Sequence, residues 1–223
     1  MAAAKLIPKL ILGNKTYSSW SLRGWLAVRL AGLEVEEEVI FLHKPDTRAN
    51  ILKYSPAAKV PTLVVAGESV WDSLAIGEYL AERFPDKQLW PADAAARRLA
   101  RCVCAEMHAG FPALRQALPM DLAHHYPGHE VSAEVQGDID RVQAIWRDCR
   151  GRFGQNKDGG GDFLFGKPCL ADAFYAPVVT RFRTYDVKLD EVAEAYCAAV
   201  EAWPPMQEWA AAAAEETEVI AYL

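Results

Sequence analysis

The sequence predicts two differently built halves: an α/β layer around a mixed four-stranded sheet, then an all-helical part. Three observations lead there. Short apolar or β-branched runs alternate with helical patterns up to residue 88, in the order β-α-β-α-β-β-α. The last two strands are separated only by Ala66, Gly67 and Glu68, too little chain for a crossover, so they form a hairpin and the sheet is mixed. After Pro91 strand signals fade into segments rich in Ala and charge at helical spacing. The expected units are residues 1–88 and 94–223, joined by a linker over 84–91 that carries Pro85 and Pro91.

Residues 10–13 are a short apolar run, expected as a buried strand. A polar break follows, and Ser18 and Ser19 precede a helical pattern over 20–30 as N-cap residues. Gly32 ends that helix. Residues 36–42, with Val39 and Ile40, form the second strand. A weak helix over 47–54 is broken by Ser55-Pro56. The third strand, 60–65, carries Pro61 near its start, where a strand tolerates one. Residues 69–71 make the fourth strand. Asp72 and Ser73 open a helix whose apolar residues Leu74, Ile76, Tyr79, Leu80 and Phe84 share a face. Helices are then expected over 94–118, 131–153, 170–184, 192–202 and 206–214, with a Gly-rich loop over 155–162.

Composition bounds the function. Of 223 residues 52% are hydrophobic and 24% charged, enough for a sizeable core. The net charge of -6 argues against a nucleic-acid partner, which favours a basic face. The first nine residues hold Lys5 and Lys9 and no long apolar run, so no signal peptide is expected; residues 210–214 are too short to span a membrane. A cytoplasmic location follows as an expectation. Five cysteines, an odd number without CxxC spacing, read as reduced thiols. His124, His125 and His129 lack a completing Cys or spaced carboxylate, so they read as a solvated loop and no metal is expected.

Four segments resemble the soluble glutathione transferase family, across nearly the whole chain. Residues 17–23 (YSSWSLR) resemble the first-helix signature of the serine-type classes, zeta in particular; 55–63 (SPAAKVPTL) resemble the segment that carries the family's cis-proline. Residues 71–76 (WDSLAI) resemble the acid-serine pair that opens the third helix, and Phe165-Gly166 with 170–172 (LAD) resemble the capping segment of the helical domain. Residues 106–115 are similar to a stretch of bacterial members, which implies a bacterial source. The resemblance implies a thioredoxin-like first domain that binds glutathione as co-substrate, a helical domain that shapes the second substrate's pocket, and a homodimer.

The implied chemistry needs a thiolate, and a free thiol near pKa 8.5 is mostly protonated at neutral pH. A hydroxyl donating to sulfur, at the positive end of a helix, favours the anion. Ser18 aligns with the first serine of the zeta-like pair; Ser19 is second and Ser21 third. No cysteine stands at this helix start, which disfavours the family's redox branches. A cis Val60–Pro61 bond would turn the N–H and C=O of Val60 outward, to pair with a peptide such as glutathione. Ser73, at a helix start, suits its γ-glutamyl carboxylate, and Asp72 suits its ammonium. Lys44 and Lys59, with His43 nearby, are candidates for the glycyl carboxylate. Tyr17, Trp20, Met107, His108, Phe111 and Arg115 are the candidate lining of the second pocket. Asp172 should accept backbone N–H groups, while Cys169 stands where the cap is usually Ser or Thr. The expected activity is transfer of glutathione to an electrophile. An isomerase of maleylacetoacetate type ranks second, because Trp20 replaces the cysteine that follows the serine pair in zeta enzymes; glutathione peroxidase and a non-catalytic binding or regulatory role remain alternatives.

Overall fold

The computed structural model describes residues 7–154 and 160–220; residues 155–159 of the Gly-rich stretch and 1–6 of the N-terminus lie outside them. The strands are β1 (Lys9–Leu12), β2 (Glu36–Val39), β3 (Thr62–Val65) and β4 (Glu68–Val70). They form one sheet in the order β2-β1-β3-β4. β1 pairs with β2 in parallel, and β3 pairs antiparallel with both β1 and β4. β1 lies centrally, and Leu10, Ile11 and Leu12 are all fully buried, as a continuous apolar run requires. The edge strand β2 instead carries three glutamates, two of which pair with Lys9.

All four strands differ from expectation at an end: β1 lies one residue earlier, β3 begins at Thr62 rather than residue 60, and β2 and β4 differ as follows. β2 ends at Val39 rather than residue 42, because β1 ends at Leu12: Ile40 N–H still reaches Leu12 O, but Leu42 N–H donates to the Asn14 side chain. The hairpin turn is only Ala66-Gly67, both at positive φ (51° and 86°), so Glu68 already belongs to β4.

α1 (Ser19–Ala31) and α3 (Ser73–Arg83) pack together, and α2 (Thr47–Leu52) lies on the opposite face of the sheet. Leu10 and Leu12 join the main core with Leu22, Trp25 and Ile76; Ile11, pointing the other way, packs with Ile40 and Ile51. The helical part comprises α4 (Ala94–Ala109), α5 (Pro112–Ala117), α6 (Ala133–Cys149), α7 (Leu170–Thr184), α8 (Glu191–Ala202) and α9 (Pro204–Ala214).

The single helix expected over 94–118 is two. Gly110 is extended, Phe111 sits at φ 60°, and Pro112 takes the first position of α5, where its missing N–H costs nothing. The helix expected over 131–153 starts after the Ser132 cap and loosens into a π-helical turn over Arg150–Gly154. α7 is buried along almost its whole length and packs on both α1 and α4, so the main core runs from the sheet layer into the helical part without a gap.

Candidate active site

Strand register brings the predicted segments to one end of the sheet. Ile11 faces Thr62 and Leu63 faces Val70, so the end of β1, the start of β3 and the end of β4 coincide. Leu12 faces Val39 in the parallel pair, which adds the end of β2. Ser18, Lys44, Val60-Pro61 and Asp72-Ser73 all lie just beyond these strand ends.

Ser18 is the N-cap of α1, in extended conformation, and its Oγ accepts from Ser21 N–H at 3.2 Å. Ser18 Oγ and Ser21 Oγ lie 2.8 Å apart, and Ser21 Oγ accepts from Gly13 N–H, also at 2.8 Å. Ser19 Oγ accepts from Arg181 of α7 at 3.2 Å. Ser18 and Ser19 are 5% and 6% exposed, so both are shielded from open solvent, and Ser19 reaches across the seam between sheet layer and helices to α7. The first turn of α1 holds no carboxylate to offset its positive end, which leaves it suited to an anion.

The Val60–Pro61 bond is cis, and the Val60 N–H and C=O make no hydrogen bond to another described residue. α1 reaches this segment closely: a Cβ on Gly24 would lie 2.6 Å from Pro61 Cγ. Ser73 is fully buried, and its Oγ has no partner among the described residues.

Asp72 is already engaged. One carboxylate oxygen caps α3 through Leu74 N–H (2.9 Å), and the other lies 3.1 Å from His108 Nε2 on α4. Lys44 pairs with Glu218 of the C-terminal segment, while Lys59 is exposed. Asn14, His43 and Lys44 line a cavity of 240 Å³ with Glu218, Val219 and Ile220.

Of the candidate pocket residues, Trp20, His108, Met107 and Arg115 come together. The His108 ring meets Trp20 edge-on at 5.2 Å, and the Arg115 guanidinium lies 4.9 Å from the Trp20 ring centre. Met107, 1% exposed, is a buried wall rather than an open surface; its sulfur accepts from Arg23 at 3.1 Å. Tyr17 and Phe111 are each 5% exposed. The Tyr17 hydroxyl meets the backbone of Ile220, and burial raises its pKa; Phe111 forms the corner before α5.

Arg23, Arg115 and Arg181 converge on this seam. Arg115 donates to the Met107 and Gly110 carbonyls and Arg181 to the Leu118 carbonyl, so both meet the negative ends of helices. Arg23 is fully buried between the Trp20 and Phe174 rings, with Nε and Nη1 unpartnered among the described residues. Burial, reinforced by Arg115 and Arg181, pushes its pKa well down. Arg23 and Arg181 escaped the sequence reading, because arginine on an amphipathic helix gives no sign of burial.

Other predicted features fall away from this end. Asp172, fully buried, accepts from Cys169 N–H (2.8 Å), Leu164 N–H (3.1 Å) and Tyr196 hydroxyl (3.1 Å). His124 pairs with Asp121 and His125 with Asp186, while the His129 ring lies 5.0 Å from that of Tyr185, tilted by 59°; no metal-holding group occurs among the described residues. Burial raises the thiols of Cys104, Cys149, Cys169 and Cys197, which keeps them protonated.

Residues 17–83 match the family model described as glutathione S-transferase, N-terminal domain. A probable maleylacetoacetate isomerase of Caenorhabditis elegans is 34% identical over 114 residues, 51% of this chain and 53% of that protein. A zeta-class glutathione S-transferase of Euphorbia esula is 38% identical over 87 residues, 39% of each chain. The chain thus matches about half the length, or less, of these two curated relatives. Among solved structures, a glutathione transferase homologue from Burkholderia, with bound glutathione, is 20% identical with a TM-score of 0.69, covering 95% of this chain and 99% of its own. A bacterial maleyl pyruvate isomerase of the zeta class is 24% identical with a TM-score of 0.69, covering 95% and 100%. These structures share the fold, a thioredoxin-like domain followed by a helical one. Sequence and fold agree: residues 17–83 match the N-terminal domain of the glutathione S-transferases, and the chain as a whole shares its fold with these glutathione transferase structures.

Proposed function

We propose that this chain is a glutathione transferase that activates the glutathione thiol for attack on an electrophilic, largely apolar substrate. The observation that carries this is the convergence, at one end of the sheet, of a serine-capped helix start, an unpaired Val60 backbone and the unpartnered Ser73 hydroxyl. Val60 offers one N–H and one C=O to the extended tripeptide, as an added strand would. Ser73 and the start of α3 receive the γ-glutamyl carboxylate. In this reading Lys44 and Lys59 take the glycyl carboxylate, Lys44 after exchange of its Glu218 partner. Asp72, as it caps α3 and pairs with His108, meets the ligand's ammonium with a charge already shared.

Ser18, with the α1 positive end, stabilises the thiolate once its proton has left to water. The sulfur then bonds to the electrophilic carbon, and the leaving group departs with its electron pair. Trp20, His108 and Arg115 form the wall facing that carbon, with Met107 behind them. The reading divides the chain into a glutathione-binding unit, 1–88, and a helical unit, 94–223, and extends to a cytoplasmic homodimer in detoxification.

A second reading, a glutathione-dependent isomerase, has support in the relatives named maleylacetoacetate isomerase in Caenorhabditis elegans and Dictyostelium discoideum. Calorimetry with glutathione tests the common ground: a flat titration removes both enzyme readings. Rates with a chloronitrobenzene, a hydroperoxide and maleylacetone then rank the chemistries. Ser18→Ala should keep glutathione affinity and raise the pKa of the bound thiol, followed by thiolate absorbance; the same effect from Ser19→Ala alone would move the role to Ser19.

A further inference from the structure

Ser21 is fully buried in the first turn of α1, three residues after Ser18. A hydroxyl has one proton to give and two lone pairs to receive. The Gly13 N–H, at the end of β1, fills one acceptor position of Ser21. Apart from that amide, the only hydrogen-bonding atom within reach of Ser21 Oγ among the described residues is Ser18 Oγ, 2.8 Å away. One proton must lie on the line between these two oxygens, and it can come from either.

If Ser18 supplies it, the Ser21 proton is left buried with no acceptor, a costly state, and Ser18 has no proton for a sulfur. If Ser21 supplies it, both the proton and an acceptor position of the buried Ser21 hydroxyl are used, and only the Ser18 proton remains to be placed. Ser18 Oγ then receives Ser21 N–H and Ser21 O–H, filling both its lone pairs. Its own proton is the single one left, and it must point away from the helix. Such a chain, amide to hydroxyl to hydroxyl, also polarises each successive donor.

We infer that Ser21 is a positioning residue: held by the Gly13 amide, it donates to Ser18 and thereby aims the Ser18 proton at the glutathione sulfur. This rests on the glutathione-activating function proposed above. Ser21 touches neither substrate; it acts through Ser18. The role belongs to the third serine of the segment, which the resemblance to the zeta-like pair ranks below Ser18 and Ser19.

The test follows the bound thiol by thiolate absorbance against pH, beside kcat, KM for glutathione and the melting temperature, in the full chain. Ser21→Ala should raise the apparent pKa of the bound thiol by about one, the worth of a single hydrogen bond, and lower kcat near neutral pH about tenfold, with KM little changed. Ser21→Thr, which keeps the hydroxyl, should restore the wild-type thiol pKa even where its extra methyl lowers the melting temperature. The Ser18→Ala/Ser21→Ala pair should match Ser18→Ala alone, because Ser21 has no other route to sulfur. A Ser21→Ala protein that melts lower but keeps the wild-type thiol pKa would make Ser21 a structural tie and overturn the inference. So would a Ser21→Thr protein whose thiol pKa rises as in Ser21→Ala. Wild-type protein that binds no glutathione, or leaves its thiol pKa unchanged, sinks the proposed function itself and this inference with it.

Discussion

At the residue scale, polar groups buried at the ends of elements decide most of the local behaviour. Asp172 shows the balance. Three donors favour its carboxylate, yet burial outweighs them and pushes its pKa up from 3.8 to about 6. The folded state therefore holds this proton where the unfolded chain has released it. The contribution to stability is full below pH 4 and is lost as pH rises through about 6, up to about 3 kcal/mol from this group. Asp172→Asn removes that titration. Its destabilisation relative to wild type should be largest near pH 4 and shrink by up to about 3 kcal/mol at pH 7, read by denaturant melts at both pH values. An equal gap at both would show that the donors, not burial, set this carboxyl. Cys169, at the cap of the same helix, was legible as a departure from Ser or Thr, but the third bond to Asp172, from Tyr196, was not. Twenty-four residues and a change of helix separate the two.

At the element scale, the closest approach in the site is that of α1 to the Val60–Pro61 segment. Gly24 permits it, since a Cβ there would meet the stiff Pro61 ring at 2.6 Å and 2.9 Å. Alanine normally gains about 0.5–1 kcal/mol over glycine inside a helix. Here overpacking should outweigh that gain, so Gly24→Ala is expected to lose about 1–3 kcal/mol in urea unfolding at unchanged m. Under the proposed function it should also raise KM for glutathione, because the displaced ring carries Val60 with it. A more stable variant would mean that α1 and β3 separate more easily than their packing shows. The elements themselves were largely legible: the caps of α1 and α3, the hairpin and the buried central strand follow from neighbouring residues. The break between α4 and α5 was passed over although Gly110 and Pro112 marked it, because the helical spacing of the apolar residues continues across them.

At the scale of the whole molecule, the C-terminal segment ties the two halves together. Glu216 accepts Lys15 N–H at 2.7 Å and Thr16 N–H at 2.9 Å, and Trp209 Nε1 donates to Lys15 O at 2.9 Å. Thr16 Oγ1 reaches Ala213 O. The loop that leads to Ser18 is thus held by residues some two hundred positions later. Glu216→Ala should cost about 1.5–3 kcal/mol, as expected of hydrogen bonds to a charged group, and Glu216→Gln distinctly less. Far-ultraviolet dichroism and tryptophan fluorescence should then still report one coincident transition, since α1 packs on α7 as well as on α3. Two separate transitions would show that the halves fold independently.

Read alone, the sequence determined the class of each half and, apart from the break between α4 and α5, the order of the elements, which depend on side-chain period, capping and turn chemistry acting between residues a few positions apart. The segments that meet at the site were marked by their resemblance to the glutathione transferase family. Only the tertiary structure decided which partner each polar group takes: His108 for Asp72, Glu218 for Lys44, Arg181 for Ser19 and Gly13 for Ser21. Such pairs join distant parts of the chain. They are selected by which surfaces pack and how much water is excluded between them, and no local pattern carries that information.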